Sequence, residues 1–188
     1  MMSRGGRGDR GDAPLRGSAR EQKVAARLRE IARDRRALRN ALDHFDGGED
    51  FARVWASEDL DEINRRDQVE RPYERIVNDI QEIIDFCEAE EAERRMPAPA
   101  EPDAGRWRRA ALRGYLSHAQ AERWQAIAQG RQRLAHHYAD VPARHGHEIF
   151  DHASDLLREL PRTITGIGRW IQLLWPRPHG AEISPGRE

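Results

Sequence analysis

Apolar residues recur at intervals of three, four and seven positions through most of the chain, with charged residues between them. This spacing is typical of amphipathic α-helices, in which one stripe faces a core and the opposite face is polar. No alternating pattern of useful length predicts a β-strand. We therefore expect an all-α fold, an antiparallel bundle of four to five main helices.

The N-terminal part of the chain predicts one long helix followed by a short one. The long helix covers about 19–44, and the pair Gly47-Gly48 stops it. A short helical segment around Phe51 comes next. Ser57 is a suitable N-cap for the turn that follows, because acidic residues come directly after it.

The middle of the chain predicts the clearest helix, at about 67–95, where a continuous apolar face is present. Pro72 falls early in this helix, where proline is best tolerated. The segment 97–105 is rich in proline and alanine and predicts a loop inside the domain. A short basic helix is expected at 106–118.

The C-terminal part predicts three further helical segments. The first covers about 120–139, and the second covers 147–160. Pro161 is expected to interrupt the helix there, because proline lacks the backbone N–H that a helix interior requires. A last amphipathic segment continues to Pro176.

The length of 188 residues fits one domain with a proper core. Residues 1–18 are rich in Gly, Arg and Asp and predict a disordered tail. The helical domain is expected at 19–175, and residues 176–188 predict a second flexible tail. The sequence has no apolar run long enough to span a membrane and no hydrophobic signal core, so we expect a cytoplasmic protein.

Charge is distributed unevenly, although the formal net charge is only −1. Eighteen acidic residues and five arginines lie between 43 and 93, whereas eight arginines and two acids lie between 104 and 145. The basic segment would attract a phosphate-bearing ligand. The alternative is that both segments form ordinary solvated helix faces. A lone cysteine, Cys87, excludes an intramolecular disulfide and is expected in the core.

A short stretch inside the basic segment contains the residue types that RNA cleavage needs. It reads Arg131-Gln132-Arg133-Leu134-Ala135-His136-His137-Tyr138, which is the pattern R-x4-H-x-Y. Histidine can move protons at neutral pH, and arginine can stabilise phosphoryl charge with its permanent positive charge. The residues therefore suit cleavage by a neighbouring 2′-hydroxyl, which needs no metal ion.

This stretch resembles the signature of the HEPN ribonucleases, in particular the HepT-type toxins of bacterial toxin–antitoxin pairs. A second stretch, Asp67 to Ile76, is similar to the sequence D-A-V-x-R-x-L-E-x-I in an upstream helix of the same proteins. The resemblance implies a HEPN-like bundle and a metal-independent endoribonuclease. Arg131 and His136 would be its catalytic residues, with Gln132 and Tyr138 in support. Gln132 departs from the usual Asn or Asp.

The spacing of the motif limits how one chain can use it. Arg131 and Tyr138 lie almost on one face of a helix, whereas His136 lies about 140° round from Arg131. Either the helix unwinds near His136, or a second copy of the chain completes the site. The resemblance implies the second arrangement, since HEPN nucleases usually act as homodimers with the motifs facing each other.

The resemblance also implies a partner. In HepT-type systems a small nucleotidyltransferase antitoxin of the MNT type neutralises the toxin, and one route is transfer of AMP to the motif tyrosine, which is Tyr138 here. An AMP group would place bulk and negative charge beside Arg131.

Two other interpretations of the sequence stay open. One is a noncatalytic helical module that binds RNA or a nucleotidyltransferase, and the departure at Gln132 is compatible with it. The other is an unrelated helical scaffold. No metal or cofactor is expected, because the histidines from His136 to His152 lack a recognised ligand spacing. Trp107, Trp124 and Trp170 fall on apolar stripes and are expected in the core.

Overall fold

The computed structural model describes residues 19–136 and 143–176, and within that part it describes all side chains except those of 132–136 and of 143 and 144. No strand occurs in these ranges, and the predicted all-α bundle is confirmed. The described part of the chain forms six helices: α1 (Ala19–Leu42), α2 (Gly48–Trp55), α3 (Leu60–Glu93), α4 (Arg106–Leu112), α5 (His118–His136) and α6 (Ala143–Leu174). Four of them are long, whereas α2 and α4 have eight and seven residues.

Ion pairs show that α1 and α3 run antiparallel. Early residues of α1 contact late residues of α3, as in the pair between Arg20 and Glu90 at 3.2 Å. Arg27, about two turns further on, contacts Glu82 at 2.7 Å. The apolar face of α3 is buried, and Cys87 lies in this core with its side chain inaccessible, as predicted.

Two buried tryptophans connect the second half of the bundle. Trp124 in α5 donates a 2.7 Å hydrogen bond from Nε1 to the hydroxyl of Thr163 in α6. Trp170 in α6 donates a bond of the same length to Glu91 at the end of α3. Both indoles are fully buried, and Trp107 stacks on Trp124 with ring centroids 5.2 Å apart. The expectation that these three tryptophans belong to the core is confirmed.

The start of α3 differs from the expectation. The helix begins at Leu60, and Asp59 is its N-cap, because the Asp59 carboxylate accepts hydrogen bonds from the backbone N–H groups of Asp61 and Glu62. Ser57 instead accepts a bond from the Asp59 N–H. Pro72 therefore lies inside the helix rather than in its first turn.

The expected break at Pro161 was wrong, since α6 continues through it from Ala143 to Leu174. Pro161 is exposed, so the carbonyl that loses its helical donor there lies on the solvent side of the helix. Thr163, two residues further on, is fully buried and bonded to Trp124. Packing on the buried side thus holds a helix that local propensity alone would interrupt.

Asp79 makes the stability of the α1–α3 interface depend on pH. Its carboxyl is 6% exposed, and burial raises its pKa to about 6, although Arg27 at 3.3 Å opposes the rise. Glu30, Glu82 and Asp34 contribute to the rise. Because the folded pKa lies above the unfolded one, the folded state favours the protonated form. The stability that the protonated Asp79 carboxyl contributes is therefore fully present below about pH 4 and is lost as the pH rises through about 6.

We expect Asp79→Asn to increase the free energy of unfolding at pH 8 by about 1–3 kcal/mol, and by much less at pH 4. Urea unfolding at the two pH values measures the difference. Asp85→Asn is the matched control, because Asp85 is exposed and pairs with Arg106 at 2.7 Å. An equal effect of Asp79→Asn at both pH values would contradict this assignment.

None of the helices in the described part of the chain combines the length and the apolar character needed to cross a bilayer.

Candidate functional site

Arg131 lies in the last turns of α5 and is half-buried. Its Nε is buried without a hydrogen-bond partner. No ion pair joins Arg131 to another described side chain, that is, to one in 19–131 or 145–176. A buried guanidinium nitrogen without an acceptor raises the free energy of the folded state, and an anionic ligand would supply that acceptor.

Most other arginines of the basic segment are already paired. Five of the eight between 104 and 145 contact acids: Arg106 with Asp85, Arg108 with Glu101, Arg109 with Glu88, Arg113 with Glu88 and Glu91, and Arg123 with Glu159. These ion pairs offset much of the positive charge that the sequence places in this segment, and attraction of a phosphate-bearing ligand stays a prediction. Several of these pairs join α4 and its C-cap to the acidic C-terminal end of α3. Arg131, in contrast, is not one of the five paired arginines.

Tyr73 connects the stretch 67–76 to the part of α5 that directly precedes the motif. Its hydroxyl donates a 2.6 Å hydrogen bond to the carbonyl of Ile127, one turn before Arg131 in α5. Burial raises the pKa of Tyr73, Glu74 adds to the rise, and the positive charge of Arg131 opposes it. The stretch 67–76 therefore fixes the position of α5 just before the motif.

His152 of α6 packs against the residue that precedes the motif arginine. Gly130 is buried, and a Cβ on it would lie 2.6 Å from Cδ2 and 3.2 Å from Nε2 of the His152 ring. Only glycine therefore allows this close approach. Sequence reasoning considered His152 only as a metal ligand and missed this position, for which the glycine directly before Arg131 was the available indication.

The remaining motif residues can be placed only in part. Gln132 and His136 belong to α5, whose backbone stays helical from Arg131 to His136, and their side chains are outside the described part of the structure. Tyr138 lies outside the described residues altogether. The roles of these three residues stay predictions.

No metal-ligand cluster is present among the described side chains: within 19–131 and 145–176, no three His, Cys, Asp or Glu residues are grouped so that they could hold a metal ion. His147, one of the histidines considered from the sequence, packs against Gly48 of α2, where a Cβ would lie 2.9 Å from its Nδ1.

Comparisons with known proteins give no relative from which a role could be transferred: no protein-family model matches the chain, and neither the curated proteins nor the solved structures include a match.

Proposed function

We propose that the chain is a metal-independent endoribonuclease of the HepT type, the toxin of a toxin–antitoxin pair. The observation that carries the proposal is Arg131, whose Nε is buried without an acceptor while five neighbouring arginines are engaged in ion pairs. A phosphate of RNA would provide that acceptor.

The proposed reaction is attack by a ribose 2′-hydroxyl on the adjacent phosphorus. A base takes the 2′-hydroxyl proton, the O2′–P bond forms, the P–O5′ bond breaks, and an acid protonates the departing 5′-oxygen. The products are a 2′,3′-cyclic phosphate and a 5′-hydroxyl. Arg131 would stabilise the charge on the phosphoryl oxygens, and His136 would transfer a proton. His152 is a second imidazole close to this stretch, so two candidates exist for the two proton transfers.

Homodimer formation belongs to the proposal. Because the backbone of α5 is helical at both Arg131 and His136, the two residues lie about 140° apart around the helix axis. Opposite faces of one helix cannot hold the same phosphate. Two copies arranged around a twofold axis would let Arg131 of one copy act with His136 of the other.

Control of the activity would act on the same stretch. We propose that an MNT-type nucleotidyltransferase antitoxin neutralises the protein, with Tyr138 as the candidate for adenylylation. Tyr138 is seven residues after Arg131, so a helical continuation would place them on similar faces. The AMP phosphate would then compete with substrate phosphate for Arg131.

A noncatalytic module that binds RNA or a nucleotidyltransferase is the second candidate. The ion pairs that occupy most of the basic segment favour it, because they leave few cations for a long RNA track. This candidate predicts binding without any cleavage product and no growth arrest when the protein is produced.

Incubation of the purified protein with RNA in EDTA tests the enzyme. We expect products ending in 2′,3′-cyclic phosphate, and we expect His136→Ala to slow their formation by about 10²- to 10⁴-fold. His118→Ala, an exposed position at the start of α5, is the control and should cleave normally. Cleavage that needs a metal ion and survives His136→Ala would reject the proposal.

A further inference from the structure

A cleft of about 610 Å³ opens between the second half of α1 and the first half of α3. Its size falls within the usual range of small-molecule sites. The small side chains of Ala37, Ala41 and Pro72 leave this space between the two helices. The other residues that line it are mainly polar or charged, which suits a polar ligand better than an apolar helix.

Asp34 lines the cleft and has unused hydrogen-bonding capacity. The residue is 3% exposed, and its Oδ2 has no hydrogen-bond partner. Its Oδ1 accepts a bond from Arg33 Nε at 3.2 Å and lies 3.8 Å from the guanidinium of Arg75. A buried carboxylate oxygen without a donor costs free energy, and a ligand with N–H groups would remove that cost.

Pro72 adds a second acceptor at the same place. In a regular helix the N–H of residue 72 would bond to the carbonyl of Gln68, but proline has no N–H. Gln68 and Pro72 both line the cleft. The cleft therefore offers acceptors to a ligand that presents N–H donors.

Amide and guanidinium groups line the same cleft. Asn40 and Asn64 carry side-chain amides, which can donate to ligand oxygens. Arg75 lies beside Asp34, whereas Arg71, one turn earlier in α3, is 69% exposed and pairs with Asp67 at 2.7 Å. A ligand that fits has N–H donors at one end, a carbonyl acceptor beside them and an anionic group at the other end.

We propose that this cleft binds a guanine nucleotide. The N1–H and the N2 amino group of guanine are adjacent donors that match the two oxygens of a carboxylate, here that of Asp34. The O6 atom would accept from an amide of Asn40 or Asn64, and the phosphate would lie near Arg71. The inference that this nucleotide is part of an RNA rests on the proposed nuclease function. The inference that the cleft binds a guanine nucleotide does not.

Arginine and polyamines are the competing ligands, because they also present N–H donors to a carboxylate. Arg75 disfavours them, because its guanidinium lies 3.8 Å from Asp34 Oδ1 and would repel a cationic ligand bound to that carboxylate. Stronger binding of agmatine than of GMP would overturn the proposal.

Equilibrium titration of the full chain with mononucleotides tests the inference without any cleavage step. We expect GMP to bind. IMP lacks the N2 amino group, so we expect it to bind at least about tenfold more weakly than GMP. AMP and UMP should not compete with GMP. Absence of GMP binding, or equal binding of all four nucleotides, would overturn the proposal.

The variant Asp34→Asn provides a test that a purely structural role cannot mimic. An amide at this position donates one hydrogen bond where the carboxylate accepts, so it should weaken GMP binding by about tenfold and improve binding of XMP, whose C2 oxygen replaces the amino group. Thermal unfolding shows whether Asp34→Asn is folded. Asp155→Asn in α6, which lies outside the cleft, is the matched control and should leave nucleotide preference unchanged. Unchanged preference in folded Asp34→Asn would refute the role of Asp34.

Two further arms identify the phosphate contact and the source of the nucleotide. Arg71→Ala should reduce the preference for GMP over guanosine, and an unchanged preference would reject the proposed placement of the phosphate. A 2′-O-methyl RNA tetramer containing guanine cannot be cleaved by 2′-hydroxyl attack. If the tetramer displaces bound GMP, the cleft is assigned to RNA. If GMP binds and the tetramer does not displace it, the cleft is assigned to the free nucleotide. Either result is independent of whether the chain cleaves RNA.

Discussion

Replacing Arg131 with alanine should lower the rate of RNA cleavage by about 10²- to 10³-fold, the usual cost of removing one preorganised donor from a transition state. The side chain is half-buried and its Nε lacks an acceptor, so a substrate phosphate would supply the partner that the guanidinium does not have in the free protein. Arg131→Lys should remain well below the wild type, because an ammonium group cannot form the same forked contact with a phosphate.

Rates of RNA cleavage in EDTA measure this effect, with Arg162→Ala as the matched control on the exposed face of α6. The control should retain the wild-type rate. Circular dichroism and thermal unfolding establish that Arg131→Ala is folded. A folded Arg131→Ala that keeps more than about a tenth of the rate would exclude the proposed electrostatic role.

Mixing two inactive variants tests the shared site directly. If Arg131 of one copy acts with His136 of the other, a heterodimer of Arg131→Ala and His136→Ala chains contains one intact site. Activity should therefore reappear when the two variants are unfolded together and refolded, although each alone is inactive. Failure to recover activity, with heterodimers shown to be present by mass spectrometry, would argue against a site built from two chains.

The variant Trp124→Ala should lower the free energy of unfolding by about 3–5 kcal/mol, which is a large part of the stability of an ordinary domain. Trp124 is fully buried, stacks on Trp107 and donates to Thr163, so truncation opens a cavity and removes a hydrogen bond. Urea unfolding followed by circular dichroism measures the loss. A change below about 1 kcal/mol would show that the indole does not hold α5 in place.

The hydrogen bond can be separated from the packing by a double-mutant cycle. Thr163→Val removes the acceptor, and combined with Trp124→Phe it should give a coupling of about 0.5–1.5 kcal/mol. Thr165→Val is the control, because its exposed hydroxyl donates only to the carbonyl of Pro161 in its own helix. Additive effects of Thr163→Val and Trp124→Phe would indicate that the bond contributes little.

The hydrophobic pattern predicted the fold class because the core stripes are long and regular. The same reasoning failed at Pro161, where buried contacts of Thr163 and Trp170 in α6 outweigh the missing backbone hydrogen bond. It also placed the start of α3 too late, because the polar turn from Asp59 to Arg66 is helical without a strong apolar stripe. Local propensity and periodicity thus predict which segments are helical better than they predict the first and last residues of each helix.

The residue types of the candidate site could be predicted from the sequence, but the surroundings of their side chains could not. The sequence shows the position of Arg131, yet counting charges cannot show that five other arginines are engaged with acids, four of them with acids distant in the chain. The spacing of residues in the sequence also does not show that His152 packs on Gly130, because that contact depends on how α5 crosses α6. Tyr138 keeps its predicted role as a proposal.

The single sulfhydryl in the interior of α3 offers a way to measure spontaneous opening of the bundle. Cys87 is fully inaccessible, and burial raises its pKa to about 12, so alkylating reagents have neither access nor a thiolate to attack in the closed protein. Modification at neutral pH must therefore pass through an excursion that exposes the centre of the helix. Its rate reports how often the native ensemble reaches that state, without any engineered label.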